Sequence, residues 1–218
     1  MSVLTLEKVS YIYDKTTKKV LNNISYDFEK GKIYAIVGKS GAGKTTLLSV
    51  LSGLTSPTSG NLVYEGRDTK KIDRYNYRSR MVGVIFQGYN LLPQLTAEEN
   101  VVLSMDISGK KLGDRQKAAL KILESIEINR ETAKRKVLQL SGGEQQRVAI
   151  ARVLSYDPGI ILADEPTGNL DGETESGIMD IFTRLAKENN KCVIIVTHSQ
   201  KVASYADIVI RINEGKIQ

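Results

Sequence analysis

Four short runs of this chain are apolar with little or no interruption: Ile33–Val37, Met81–Phe86, Ile160–Ala163 and Val193–Val196. Runs of this length, rich in branched residues, predict strands buried on both faces, the pattern of a parallel sheet. Residues 3–13 and Val20–Phe28 read as strands of the alternating kind, parted by a polar turn at Asp14–Lys19. Asn61–Tyr64 predicts a short strand after the turn Ser56-Pro57-Thr58-Ser59-Gly60, and Asp207–Ile212 with Gly215–Ile217 predicts a small terminal hairpin. Helical spacing takes over from Lys44, where Leu47, Leu48, Val50, Leu51 and Leu54 share a face. A short helix is expected over Tyr75–Arg80 and a longer one over Glu173–Lys187.

Between residues 89 and 155 strand pattern nearly vanishes. Thr96-Ala97-Glu98-Glu99 is a capping box opening a helix through Leu103. Residues 114–126 place Ala118, Leu120, Ile122, Leu123 and Ile126 largely on one helical side. These residues predict a helical lobe inserted into an α/β core whose alternating strands and helices argue for a mostly parallel, wrapped sheet.

The 218 residues suit one α/β domain, and 41% hydrophobic with 26% charged residues is ordinary for a globular chain. No apolar stretch approaches 18 residues, and the N-terminus, with Glu7 and Lys8 among short apolar pieces, lacks a signal-peptide core. The single cysteine, Cys192, excludes an intramolecular disulfide, fits a reducing compartment, and opens an apolar run as a buried strand residue. The net charge of +6 is concentrated in residues 67–80 and 110–136, with local excesses of +4 and +5. Such stretches can meet anionic lipid or nucleic acid. Acids interrupt both, however, which favours solvated helix faces.

Chemistry enters at the end of the first buried run. Gly38-Lys39-Ser40-Gly41-Ala42-Gly43-Lys44-Thr45 reads G-x-x-x-x-G-K-T between a strand and a helix, the context a phosphate-binding loop requires. Backbone N–H groups from Gly41 to Thr46, at the positive end of the helix, would hold phosphate oxygens. Lys44 would reach the β- and γ-phosphates and the Thr45 hydroxyl would ligate Mg²⁺.

Three further constellations bear on such a ligand. Ser141-Gly142-Gly143-Glu144 has the form of a helix cap, but two glycines inside a helix cost up to ~1 kcal/mol each. They make sense if bare backbone approaches a second anion. Ile160–Asp164 ends in acid followed by Glu165, at the carboxyl edge where ligands of open α/β sheets bind. Asp164 is placed to hold Mg²⁺ and Glu165 to act as general base. His198, the only histidine, follows the strand 192–196 and could bond a γ-phosphate. Tyr13, at the end of the first strand, is either a packing residue or a stacking partner for adenine.

In this order the pieces resemble the nucleotide-binding subunit of ABC transporters, over essentially the whole chain. The resemblance implies a P-loop NTPase fold with a wrapped, mostly parallel core sheet, an N-terminal antiparallel part and a helical lobe at about 89–155 inserted in one domain, 1–218. It assigns Gly38–Thr45 to the Walker A motif and Ile160–Glu165 to Walker B, with Glu165 catalytic alongside Lys44 and His198, the switch histidine. Leu140–Glu144 matches the signature, although Glu144 stands where many members have Gln. Gln87 matches the Q-loop, joining Thr45 and Asp164 as a metal ligand, Asp171 the D-loop at the dimer contact, and Tyr13 the aromatic that stacks on adenine. ATP and Mg²⁺ are then the cofactors, and two copies dimerise head to tail so that residues 141–144 of one contact ATP on the other.

Gly83–Gln87, Asn90–Pro93, Leu95-Thr96-Ala97 and Asp164–Asp171 look like the macrolide-exporter and lipoprotein-release group, some of whose members detoxify antimicrobial peptides. That group works with transmembrane permeases at the cytoplasmic face of the membrane, and no nucleic acid is expected. Similar cell-division ATPases signal across the membrane without transport. Soluble ABC ATPases acting on DNA or ribosomes usually carry a coiled-coil insertion or a second ABC domain; here 94 residues without heptads separate the phosphate loop from the signature.

Overall fold

The computed structural model describes residues 2–14, 17–110 and 113–218. Its strands are β1 (Ser2–Ile12), β2 (Lys19–Glu29), β3 (Ile33–Val37), β4 (Ser59–Tyr64), β5 (Arg67–Asp68), β6 (Val82–Ile85), β7 (Ile160–Asp164), β8 (Cys192–Val196), β9 (Ile208–Asn213) and β10 (Lys216–Ile217). The helices are α1 (Lys44–Leu51), α2 (Arg74–Asn76), α3 (Ala97–Ser108), α4 (Arg115–Ser125), α5 (Arg130–Ala133), α6 (Gly142–Leu154), α7 (Gly172–Lys187) and α8 (Gln200–Ser204).

Two sheets form. An antiparallel one runs β2-β1-β4-β5, and the core sheet runs β10-β9-β3-β8-β7-β6. From β9 to β6 every neighbouring pair in the core sheet is parallel, and only β10 runs against its neighbour. The unbroken apolar runs follow from burial on both faces. Ile161 and Ala163 of β7, with Val193 and Ile195 of β8, face a core shared with α3, α4, α6 and α7. Ile160 and Leu162, with Cys192, Ile194 and Val196, face a second core closed by α1 and the antiparallel sheet. Each of the Val, Leu and Ile side chains among them contributes about 1.5–3 kcal/mol on full burial. Cys192 is fully buried, and burial alone pushes its thiol up to about 12, so it packs as a small hydrophobe.

The inserted stretch is helical. β6 and β7 pair in parallel although residues 86–159 lie between them, and the described residues of that stretch add only an isolated bridge, Thr96 to Lys136. The capping box at Thr96 and Glu99 is present. Helix α3 runs five residues past the predicted end, because Val101, Met105 and Ser108 continue the buried stripe begun by Ala97 until Gly109, at φ 64°, stops it.

One expectation changes. The helix over Tyr75–Arg80 resolves into α2 and a π turn at Tyr77–Met81, where buried Tyr77 donates its hydroxyl to Leu51 O at 2.7 Å. The terminal hairpin forms as expected, β10 antiparallel to β9, and β9 also joins the core sheet, parallel to β3. Its burial alternates, with Ile210 and Ile212 inside and Val209 and Arg211 out, so its sequence reads as a surface strand. The basic residues of 67–80 are exposed, as solvated faces require.

Candidate nucleotide site

Parallel pairing decides where the chemistry meets. With β3, β8, β7 and β6 adjacent and codirectional, their carboxyl ends share one edge. Gly38 follows β3, Thr197 and His198 follow β8, Asp164 ends β7 with Glu165 next, and Gln87 lies two residues beyond β6. This is the edge at which open α/β sheets bind ligands.

In the loop after β3 the glycines do different work. A Cβ on Gly38 would lie 2.3 Å from Ile212 O, and one on Gly43, at φ +106°, 2.8 Å from Val20 O. Both allow close chain packing. Gly41, at φ +77°, faces open space, where bare backbone is available to a ligand. Helix α1 starts on Gly43 without a side-chain cap and with no acidic residue in its first turn, so its N–H donors keep their capacity for an anion. Lys44 Nζ donates to Gly38 O at 2.8 Å and Lys39 O at 3.2 Å, which holds the ammonium over the loop. Ser40 is exposed, Ala42 and Thr46 are buried, and Thr45 is exposed on the first turn of α1. Tyr13 is 48% exposed, packs edge-on to Tyr11, and shares a 2.9 Å hydrogen bond between its hydroxyl and Thr46 Oγ1. Its ring therefore stands beside the start of α1, not in a core.

At the end of β7, burial first and the neighbouring Glu165 second push the Asp164 carboxyl above the usual range, while Lys44 partly offsets them. Glu165 adopts a left-handed backbone at φ 47°, uncommon for a residue with a side chain. Its N–H donates to Val196 O at 2.9 Å, fixing it against the neighbouring strand. Glu165 Oε1 lies 2.8 Å from Nδ1 of the exposed His198. Oε2 accepts from buried Thr197 Oγ1 at 3.3 Å. Thr197 was adjacent to a predicted site residue but had no role in the sequence reading, because its partner comes from another strand.

Gln87 is exposed after β6, and a Cβ on Gly168 would lie 3.2 Å from its Nε2. Tyr89 and Asn90 beyond it are both left-handed, and Arg152 of α6 donates to their carbonyls. Asp171 caps α7, accepting from Glu173 N, Thr174 N and Thr174 Oγ1, and these bonds hold its carboxyl below the usual range.

Ser141 lies elsewhere, at the start of α6 behind the turn Val137–Gln139. Among the described residues no hydrogen bond or ion pair joins 141–144 to the loop 38–46. Ser141 Oγ accepts from Glu144 N at 3.3 Å and Glu144 Oε2 accepts from Ser141 N at 2.8 Å. Packing gives Gly143 a sufficient reason within the chain: its Cβ would sit 2.5 Å from Thr174 Cγ2 of α7. Gly142 is less constrained, 3.2 Å from the Tyr89 hydroxyl.

Comparison with known proteins places this edge in a family. The profile described as ABC transporter matches residues 21–168. The uncharacterized ABC transporter ATP-binding protein YclH of Bacillus subtilis is 46% identical over 99% of this chain and 95% of its own. The lipoprotein-releasing system ATP-binding protein LolD of Legionella pneumophila is 40% identical over 99% and 96%. Among solved structures, the dimeric ABC transporter cassette MJ0796 superposes with a TM-score of 0.90 at 36% identity, covering 99% of this chain and 96% of that one. A post-hydrolysis dimer of the same cassette, bound to ADP and Pi, superposes with 0.89. The chain belongs to the ABC transporter family and is an ATP-binding, ATP-hydrolysing cassette of it.

Proposed function

We propose that this cassette is the ATPase subunit of a membrane transporter, that ATP closes two copies head to tail, and that hydrolysis reopens them to drive a separate permease. The observation that carries the reading is the single edge formed by β3, β7 and β8, which gathers Gly38–Thr46, Asp164, Glu165 and His198. On this reading residues 1–218 are one nucleotide-binding domain with a helical subdomain at about 89–155.

Gly38 through Thr46 bind the phosphates, with Lys44 as their point charge, and Tyr13 stacks on the adenine. Glu165, oriented by Thr197 and His198, takes the proton of the attacking water, and His198 turns to the γ-phosphate. The Asp164 carboxyl fits a divalent cation, since burial and Glu165 disfavour its charge and a bound cation would relieve it. No group of three or more His, Cys, Asp or Glu among the described residues could hold a metal alone. That suits Mg²⁺, which is commonly held by one carboxylate together with substrate phosphates. Thr45, Gln87 and Asp164 would hold it, and it would neutralise charge developing on the β- and γ-phosphates.

Ser141, Gly142, Gly143 and Glu144 complete the site of the second copy, with Asp171 at the dimer contact. The dimeric MJ0796 cassette supports this arrangement. No helix of the described residues is long and apolar enough to cross a membrane. On this reading the cassette meets a spanning permease at the cytoplasmic face. Similarity to a lipoprotein-releasing ATPase favours lipoprotein extraction as the work done, and similarity to a macrolide export ATP-binding/permease protein favours export of a drug or antimicrobial peptide as the alternative. Pull-down of the Glu165→Gln chain with ATP from detergent-solubilised membranes, read by mass spectrometry, tests it. A multi-spanning permease is expected, and recovery of ribosomal or DNA-bound proteins in its place would contradict the reading.

A further inference from the structure

Two bridges cross the gap between the segment after β7 and the segment after β8. The first is Glu165 to His198, beside the phosphates. The second lies deeper along the same two segments and involves none of the motif residues. Lys201, on α8 and three residues beyond His198, donates from Nζ to Gly172 O at 2.9 Å and lies 3.0 Å from Glu175 Oε1. Glu175 Oε2 accepts from Thr167 Oγ1 at 3.2 Å. The Glu175 side chain is only 14% exposed and Thr167 5%. Thr167 is two residues from Glu165, and Gly172 directly follows Asp171. One ammonium thus ties the start of α7, and through Glu175 the loop bearing Glu165, to the helix that follows His198.

We infer that Lys201 is a positioning residue for hydrolysis, holding the segments that carry Glu165 and His198 in register when their own contact opens. The inference rests on the proposed roles of those two residues. For His198 to turn to a γ-phosphate its 2.8 Å contact with Glu165 has to break. His198 is 74% exposed and has room to leave, whereas the Lys201–Glu175 bridge is anchored on a largely buried carboxylate. The hydrogen bonds that the Glu165 carboxylate keeps across the gap, from buried Thr197 Oγ1 at 3.3 Å and from the His198 N–H at 3.4 Å, are both long. The 2.9 Å bond from Glu165 N–H to Val196 O holds its backbone but not its carboxylate. A misplacement of about 1 Å in a reacting group can cost on the order of a hundredfold in rate, so a remote tether can govern turnover without touching ATP.

Lys201→Met alone strands the Glu175 carboxylate and lowers stability for that reason. The informative variant is therefore Lys201→Met combined with Glu175→Gln, which removes both charges and leaves Thr167 an acceptor. Steady-state hydrolysis and thermal melting of the wild-type chain and the double variant test the inference. Expected are a kcat lower by about tenfold, a KM for ATP within about twofold of wild type, and a melting temperature close to it. A double variant that turns over at the wild-type rate, or whose loss lies in KM, overturns the inference. Wild-type turnover and its loss in Glu165→Gln report on the functional reading itself, so the ratio of variant to wild type isolates the tether.

Discussion

Helix α1 begins on Gly43 with no side chain over its end, whereas α6 begins on Ser141 with both halves of a capping box made. Both starts are anion sites by their position on a helix. At α1 the donors are open, Gly41 faces empty space, and the Lys44 ammonium stands over them. At α6 two of the orphan donors already have partners in Ser141 and Glu144, and Glu144 brings a negative charge that suits its own helix but repels a phosphate. The difference teaches that α1 can hold ATP within one copy. On the proposed reading, helix α6 contributes only when another copy's nucleotide is pressed onto it.

Lys44→Ala should show the largest effect, lowering ATP affinity in a fluorescent-nucleotide titration about 10- to 100-fold through loss of a charged donor. In the same monomer titration Ser141→Ala should leave affinity within about twofold, while costing about 0.5–2 kcal/mol of stability as a lost cap. Equal losses from both substitutions would break the comparison. Asp164→Asn comes next. Because the folded carboxyl is held above its ordinary range, the native chain binds more protons than the unfolded one in the interval between the two values. Stability conferred at low pH is then lost as pH rises through the folded value. Removing the charge should raise the apo melting temperature at pH 7 by a few degrees, at about 2–4 °C per kcal/mol, and abolish Mg²⁺-dependent hydrolysis. A fall in melting temperature would contradict the burial argument. The smallest effect belongs to Glu144→Gln, which keeps the cap geometry and deletes the repelling charge. It should tighten the ATP-dependent dimer about two- to fivefold by sedimentation, with monomer affinity for ATP unchanged.

Much of this edge was legible in residues alone. β3, β7 and β8 announced themselves because strands buried on both faces have no polar positions to blur them, and each ends in the residue that matters. Helix α7 was bounded to one residue, and the structure shows Asp171 capping its first turn. What could not be read was adjacency between strands. The 2.8 Å contact of Glu165 with His198 and the bridge from Lys201 to Glu175 depend on β7 lying beside β8, a pairing of segments some thirty residues apart that no local pattern encodes. β9 was read only as part of a hairpin because one of its sides faces solvent. The glycines at 142 and 143 have packing neighbours that no local pattern shows. Those neighbours, Thr174 and the Tyr89 hydroxyl, come from distant segments.

The central claim is that a working ATP site takes α1 from one copy and α6 from another. Sedimentation of the Glu165→Gln chain with ATP, with and without Ser141→Arg, tests it most directly. The account predicts an ATP-dependent dimer for Glu165→Gln, and for the double variant a monomer that still binds ATP with an affinity within about twofold. A double variant that still dimerises with ATP, or one that loses ATP binding as a monomer, would contradict it.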